Sequence, residues 1–407
     1  MPQLLRLPGF RAVFAALAIS MIGDSMMLAI PAILVRKGSG SNAAAGFEIV
    51  FFTLPICLSP MAGPFIDRFR RRPLLAFVSC LSALSLLPLL AVTTPGYWWT
   101  GYVVAAFLGC SYVSTSAGVS GLLPRIVPAD RLGHANSLLQ SFRQGLRLIG
   151  PLAGILVYAR FGIGAVTAAD ASSFVVAAGI FALLKVPETA PERRPKRGLA
   201  DFTAGARFLY EDGPLRSVTA STMLFAVAAG ATGAVTYAVV TVGLGRPPEF
   251  VGVLTCVMGV GAIAGGFLST RLITRLGELG AVGIGVLAYS LAIAGLTIPS
   301  TLAAIPAMAL AGVGVTLPAA GRLTLLQRRT PAERMARVSF ALDSVANTAQ
   351  LVTMASCASL LAVMSFRYLL IPAALVGAAG GLRAMLVPAA APAAASGPAV
   401  TADARRP

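Results

Sequence analysis

The sequence predicts an all-α integral membrane protein with twelve transmembrane helices in two pseudo-symmetric six-helix bundles. Three observations lead there. First, 57% of the 407 residues are hydrophobic and only 12% are charged, whereas a soluble domain carries about 25% charged residues. Second, the apolar residues come in runs of about 20, each able to cross roughly 30 Å of hydrocarbon as a helix. Third, two short sequences recur at one offset. GPFIDR (63–68) is echoed by GFLSTR (266–271), and PADR (128–131) by PAER (331–334). Both pairs are 203 residues apart, so the chain reads as a duplication. Two halves with an even number of spans insert in the same orientation, and parallel repeats place a substrate site at their interface near the midplane.

The first half (1–185) holds spans at 11–34, 44–66, 73–94, 98–122, 136–159 and 163–185. The second (217–387) holds spans at 217–243, 249–272, 279–299, 301–321, 336–362 and 367–387. Gly and Pro inside these runs are compatible with membrane helices. Trp98 and Trp99 stand where an interfacial aromatic belt is expected. The linker 186–216 opens with the charged, Pro-rich KVPETAPERRPKRG. It continues with Leu199, Phe202, Ala206, Leu209 and Tyr210 at helical spacing, as in a short surface helix. The Ala/Pro-rich tail 388–407 has the composition of a disordered segment.

A net charge of +17 would suggest a nucleic-acid partner in a soluble protein. Here the distribution explains it. Arg36, Lys37, Arg160, Arg246 and Arg367 fall on one side of the topology, Arg143 and Arg147 lie within a span, and the other basic residues fall on the opposite side. That bias puts both termini in the cytoplasm and the chain in the inner cell membrane, with no nucleic-acid role. The N-terminus lacks a cleavable signal, because its first apolar run is too long and further spans follow. The five cysteines sit in apolar runs without metal spacing and read as small buried hydrophobes.

The loop after the second span, Gly63-Pro-Phe-Ile-Asp67-Arg68-Phe-Arg70-Arg71-Arg72, resembles the Gly-x-x-x-Asp-Arg-x-Gly-Arg-Arg signature of the major facilitator superfamily, with Arg70 replacing the second glycine. The likeness covers the whole chain: six plus six helices, a long central loop and a degenerate second copy of the motif. Residues 122–156 are similar to the loop and fifth helix of exporters related to enterobactin and macrolide efflux proteins. Gly150-Pro151 with Gly154 resembles the antiporter motif Gly-Pro-x-x-Gly-Gly, with Ile155 at the last glycine. The resemblance implies the major facilitator fold, alternating access and export by proton antiport. It also implies that Asp67, with Arg68, Arg71 and Arg72, gates the cytoplasmic side against the start of span eleven, where Arg337 is a possible partner. Plain topogenic charge is the alternative for the arginines.

Asp24, Glu48, Asp170 and Asp343 lie within the spans. A charge at mid-helix costs roughly 2.5–3.5 kcal/mol on insertion scales, so each needs a partner or a role. Asp24 lies roughly 20 Å into span one and Arg147 roughly 16 Å into span five, with Arg143 one turn below on the same face. Since the family makes these two helices cavity-lining neighbours, an Asp24–Arg147 or Asp24–Arg143 contact is expected, either as a proton-coupling pair or as a permanent ion pair. Glu48, near the outer surface, is either a proton acceptor of an outward-open state or a solvated carboxylate suited to a helix start. Asp343 occupies the repeat position of Gln140 and could serve a gate or the substrate. Asp170 reads as structural, bonding the fifth helix. His134 reads as a solvated loop residue rather than a pH sensor. Tyr112, Tyr158 and Tyr237 are candidate cavity residues or interfacial packing.

No nucleotide-cradling motif and no catalytic constellation is present, so an enzyme and direct ATP drive are not expected. No cofactor or metal is expected either. The leading expectation is a monomeric secondary transporter that uses the proton gradient to expel small amphipathic molecules: drugs, natural products or siderophores. An importer or facilitator, or a non-transporting membrane sensor, are the alternatives.

Overall fold

The computed structural model describes residues 4, 6–66, 69–91, 96–128, 131–184 and 199–386, without the side chains at 59–66, 91, 133, 134, 136, 137, 140, 141, 144, 147, 148, 199–201, 332, 333 and 336. The regular structure among the described residues is helical. In the first half they form α1 (Pro8–Met27), α2 (Ile30–Ser39), α3 (Asn42–Ile66), α4 (Arg71–Ser85), α5 (Thr100–Ile126) and α6 (Leu132–Leu183). A linker helix, α7 (Leu199–Glu211), leads to α8 (Gly213–Ala238), α9 (Phe250–Gly295), α10 (Thr301–Arg329), α11 (Ala332–Leu360) and α12 (Phe366–Leu386).

Eight segments among the described residues are long and apolar enough to cross a membrane. Their outward surfaces carry the largest apolar side chains fully in the open, including Leu183, Phe267 and Leu302 at about 80% exposure. Water would not tolerate that belt, but lipid supplies its solvent. α6 and α9, of 52 and 46 residues, are each more than twice the length needed for one crossing. Each breaks at a glycine: Gly162 has φ 77° and ψ −178°, and Gly277 has φ 74° and ψ 175°. That extended conformation at positive φ belongs essentially to glycine alone, so both corners are encoded by a single residue type.

Gly162 lies beside Glu249, and the limb of α9 from Phe250 to Gly277 runs roughly 40 Å away from it, so the two glycines mark opposite faces of the molecule. On the Gly162 face the two halves are joined. One apolar core takes Ile30 and Ile33 from α2, Val235 from α8 and Ala358 from α11. The Tyr237 hydroxyl donates to Ala29 O at 3.2 Å, and Thr241 Oγ1 donates to Asn42 Oδ1 at 3.0 Å. Thr241 lies in a π-helical turn, Val239–Gly243, that ends α8. Towards the Gly277 face each half closes on itself. One core draws on α1, α5 and α6, through residues such as Phe10, Leu122 and Phe181. Another draws on α7, α8, α10 and α11, through Leu209, Leu215, Leu325 and Val338. Two ion pairs there also lie within a half: Arg328–Glu278 at 2.6 Å and Arg329–Asp212 at 3.2 Å. Among the described residues, the halves are therefore joined at the Gly162 face.

α7 lies against α11 rather than alone. Phe202 meets Phe340 edge-on at 6.5 Å, and the Arg334 guanidinium lies 5.8 Å from the Phe208 ring. Leu209 is buried, while Tyr210 is 70% exposed. The cysteines correct the expectation of burial. Cys357 is buried, but Cys80 and Cys110 are exposed and Cys57 and Cys256 are intermediate, because membrane-spanning helices also turn apolar residues outward to lipid.

Candidate functional site

The site grows from one packing choice. α1 lies against α6 through residues too small to keep the backbones apart. A Cβ at Gly150 would overlap Ser25, and one at Gly154 would overlap the Met26 carbonyl. Pro151 lies between them, inside the helix. The antiporter-like motif is thus the place where α6 seats α1, and it fixes the depth and rotation of Asp24.

Asp24 stands roughly 24 Å along α1 from Pro8, and it is exposed. An exposed carboxylate at that depth must face water rather than lipid. Arg143 is the cation that acts on it through space. The Arg143 guanidinium is itself held by Tyr112, whose hydroxyl accepts from Nη1 at 3.1 Å and whose ring lies 5.3 Å away. α1, α5 and α6 therefore share one polar cluster. The Arg147 side chain lies outside the described residues, as do those of His134 and Gln140.

Asp170 departs from its expected place. Its carboxylate faces α1 rather than the fifth-helix segment of α6: Gly23 packs directly on Asp170 and Ser173, and Asp24 acts on Asp170 electrostatically. Periodicity alone could not reveal this, because the contact depends on which neighbour α1 chooses.

In the second half, Asp343 pairs with Arg322, with Nη1 of the arginine 2.9 Å from Oδ1. The two side chains are 54% and 30% exposed, and both lie within long helices. By the same reasoning they line a water-filled space. Arg322 was missed in the sequence because it sits one residue beyond the tenth apolar run and looked topogenic. α10 continues to Arg329, which places Arg322 inside the helix.

Glu48 is neither solvated nor at a free surface. It is 5% exposed, within the layer that joins the halves. Its charge bears on Tyr102 and Tyr237, whose hydroxyls donate to Ala44 O and Ala29 O. Tyr237 is 3% exposed and belongs to this closed layer, not to a cavity. Above it, Lys37 Nζ lies 2.5 Å from Glu249 Oε1 and 3.4 Å from the Tyr158 hydroxyl, beside Gly162. This clamp joins α2 and α6 of one half to the start of α9 in the other. Neither Lys37 nor Glu249 stood out in the sequence, because both lie at span ends where charge is ordinary.

Of the gating motif, Asp67 and Arg68 lie outside the described residues, and Gly63 falls in the last turns of α3. Arg72 donates through Nε to Phe181 O at 3.1 Å and through Nη2 to Ala182 O, tying α4 to the end of α6. The Arg71 side chain lies over Gly121 of α5. The Arg337 backbone carbonyl packs on Gly205 of α7, so the start of α11 is covered by the linker helix.

Residues 13–354 match the Major Facilitator Superfamily. The chain is 27% identical over 307 residues to a lysophospholipid transporter, LplT, of Enterobacter sp. (strain 638), covering 70% of this chain and 72% of that one. Its fold is similar to a bacterial homologue of the iron transporter ferroportin in an inward-facing state, with a TM-score of 0.69 and 16% identity over 94% of this chain and 100% of the other. The nucleoside transporter NupG is similar too, with a TM-score of 0.69 and 11% identity over 93% and 98% of the two chains.

Proposed function

Because this chain belongs to the major facilitator superfamily and is a multi-pass membrane transporter, not an enzyme, we propose that it expels small amphipathic molecules in exchange for protons by alternating access. The observation that carries this reading is charge set deep within the helices of both halves: Asp24 with Arg143 acting on it in one, the Asp343–Arg322 ion pair in the other. The halves meet over these groups at the Gly162 face, and in this reading they part beneath them, as a central site open to one side requires.

In this reading the chain crosses the bilayer twelve times, with the corners at Gly162 and Gly277 splitting α6 and α9 into two crossings each. The Gly277 face is cytoplasmic, as the bias of basic residues supports, and the protein works as a monomer in the inner membrane. Asp24 carries the exchanged proton, and its pairing with Arg143 changes as the proton comes and goes. Glu48 takes a proton as the outer layer closes, since an enclosed carboxylate without a counter-ion costs several kcal/mol. The Lys37–Glu249 clamp then holds that layer shut. The Asp67 motif performs the equivalent closure on the cytoplasmic face, with Arg68, Arg71, Arg72 and Arg337.

A substrate with an apolar body and a charged head suits this geometry. The likeness to a lysophospholipid transporter supports a lysophospholipid-like amphipath, and the resemblance to enterobactin and macrolide exporters supports drugs, natural products or siderophores. No cofactor is required, because one proton moving down 100 mV supplies roughly 2.3 kcal/mol. The test is efflux from cells that lack their own pumps. Asp24→Asn should abolish the resistance conferred by the wild type, and net accumulation of a tracer amphipath on expression would instead indicate an importer.

A further inference from the structure

Asp170 is fully enclosed, at 0% exposure. Ser173 Oγ donates to the Asp170 backbone carbonyl at 2.7 Å and lies 3.4 Å from Oδ1. Among the described residues Oδ2 has no hydrogen-bond partner, and neither has the buried Thr167 Oγ1 one turn earlier. A buried carboxylate left this way needs a compensating positive charge or a proton, because stranding the anion costs several kcal/mol.

Among the described residues the surroundings offer little positive charge. α1 presents Gly23, where a Cβ would overlap Asp170 Oδ1 and Ser173 Oγ, and then Asp24, a second negative charge that acts on Asp170. Arg143, from the other limb of α6, acts on Asp24. α4 also packs on this limb, but its cation Arg72 is engaged at Phe181 and Ala182, roughly three turns further along. Among the described side chains one arginine thus faces two carboxylates, and one of these is sealed from water while the other touches it.

We propose that Asp24 and Asp170 form a proton-sharing carboxyl pair, with Asp24 collecting a proton from the water-filled space and Asp170 storing it. The transfer balances. A proton from water forms an O–H bond on Asp24, that bond breaks as one forms on Asp170 Oδ2, and Asp24 returns to an anion beside Arg143. Gly23 is required because any side chain there would separate the two acids. This proposal rests on the proton-coupled reading above and gives that reading its buried store.

Infrared difference spectroscopy on the purified full-length protein in lipid tests the pair without any substrate. Glu48→Gln is used as the background, to remove the other carboxyl that is enclosed among the described residues. The expected result is a deuterium-sensitive carbonyl band of a protonated carboxyl at neutral pH. Asp170→Asn should remove it. Asp24→Asn should retain the band but slow its hydrogen–deuterium exchange at least tenfold, since the collecting group is gone. Ser173→Ala, which keeps both acids, should shift the band and serves as the check if Asp170→Asn does not fold. Absence of the band with Asp170 intact, its persistence in folded Asp170→Asn, or an unmoved band in Ser173→Ala would overturn the proposal. Failure of the transport reading would show differently, as substrate flux without proton movement while the band behaves as stated.

Discussion

The Lys37–Glu249 clamp offers a conformational test with a bounded magnitude. Its oxygen–nitrogen distance is 2.5 Å, but the lysine side chain is 46% exposed and the glutamate 22%. Solvent screening at that exposure limits the pair to about 1 kcal/mol, and the 3.4 Å contact to the Tyr158 hydroxyl adds little. About 1 kcal/mol is about a fivefold change in the ratio of two states. Lys37→Met should therefore raise the ratio of molecules open at the Gly162 face to those closed there by up to about fivefold, while leaving the fold of each half intact. Spin labels on Ser41→Cys and Pro247→Cys, in a background with the native cysteines replaced, report that opening as a distance distribution by pulsed electron resonance. The exchanged pair, Lys37→Glu with Glu249→Lys, should return the distribution towards the wild type. A distribution unchanged by Lys37→Met, or shifted towards closure, would refute the assignment of this pair as a clamp between the halves.

Other predictions follow from packing. Gly46 of α3 meets α8 across the halves, and a Cβ there would sit 2.5 Å from the Ala234 carbonyl oxygen. Gly46→Val should oppose closure by about 1–3 kcal/mol, which the same spin labels would register as a predominantly open Gly162 face. Gly154→Ala acts within one half by pressing on the Met26 carbonyl. It should cost about 1–3 kcal/mol and lower the thermal unfolding temperature without favouring either face. Asp212 caps α8 by accepting from Leu215 N at 2.9 Å and pairs with Arg329. Asp212→Ala should lower thermal stability by about 0.5–2 kcal/mol, and Asp212→Asn, which keeps an acceptor for the cap, should lose less.

The sequence carried the membrane class directly, since apolar runs of spanning length and sparse charge have no soluble solution. The 203-residue offset of GPFIDR and GFLSTR, and of PADR and PAER, pointed to a duplication. Depth along a helix was legible, so Asp24 and Asp343 could be singled out by counting residues. Partners were not. Arg322 is 21 residues from Asp343, and Glu249 is far from Lys37 in the chain, so no periodicity links either pair. Asp170 illustrates the same limit. Its residue type and span were visible, but its proximity to Asp24 follows from Gly23 letting α1 and α6 touch, a property of the packed pair and not of either helix. Glu48 lies near the start of α3. Its burial could not be read, because that depends on the second half closing over the first.

Coupling between substrate and proton movement tests the central claim most directly. Purified protein is reconstituted in liposomes with an imposed proton gradient and a fluorescent pH indicator inside, and a lysophospholipid or a cationic amphipathic dye is added. Proton-coupled exchange through Asp24 requires the substrate to accelerate dissipation of the gradient in the wild type and to leave it unchanged with Asp24→Asn. Substrate movement at one rate with and without the gradient, or equal dissipation in the wild type and Asp24→Asn, would contradict it.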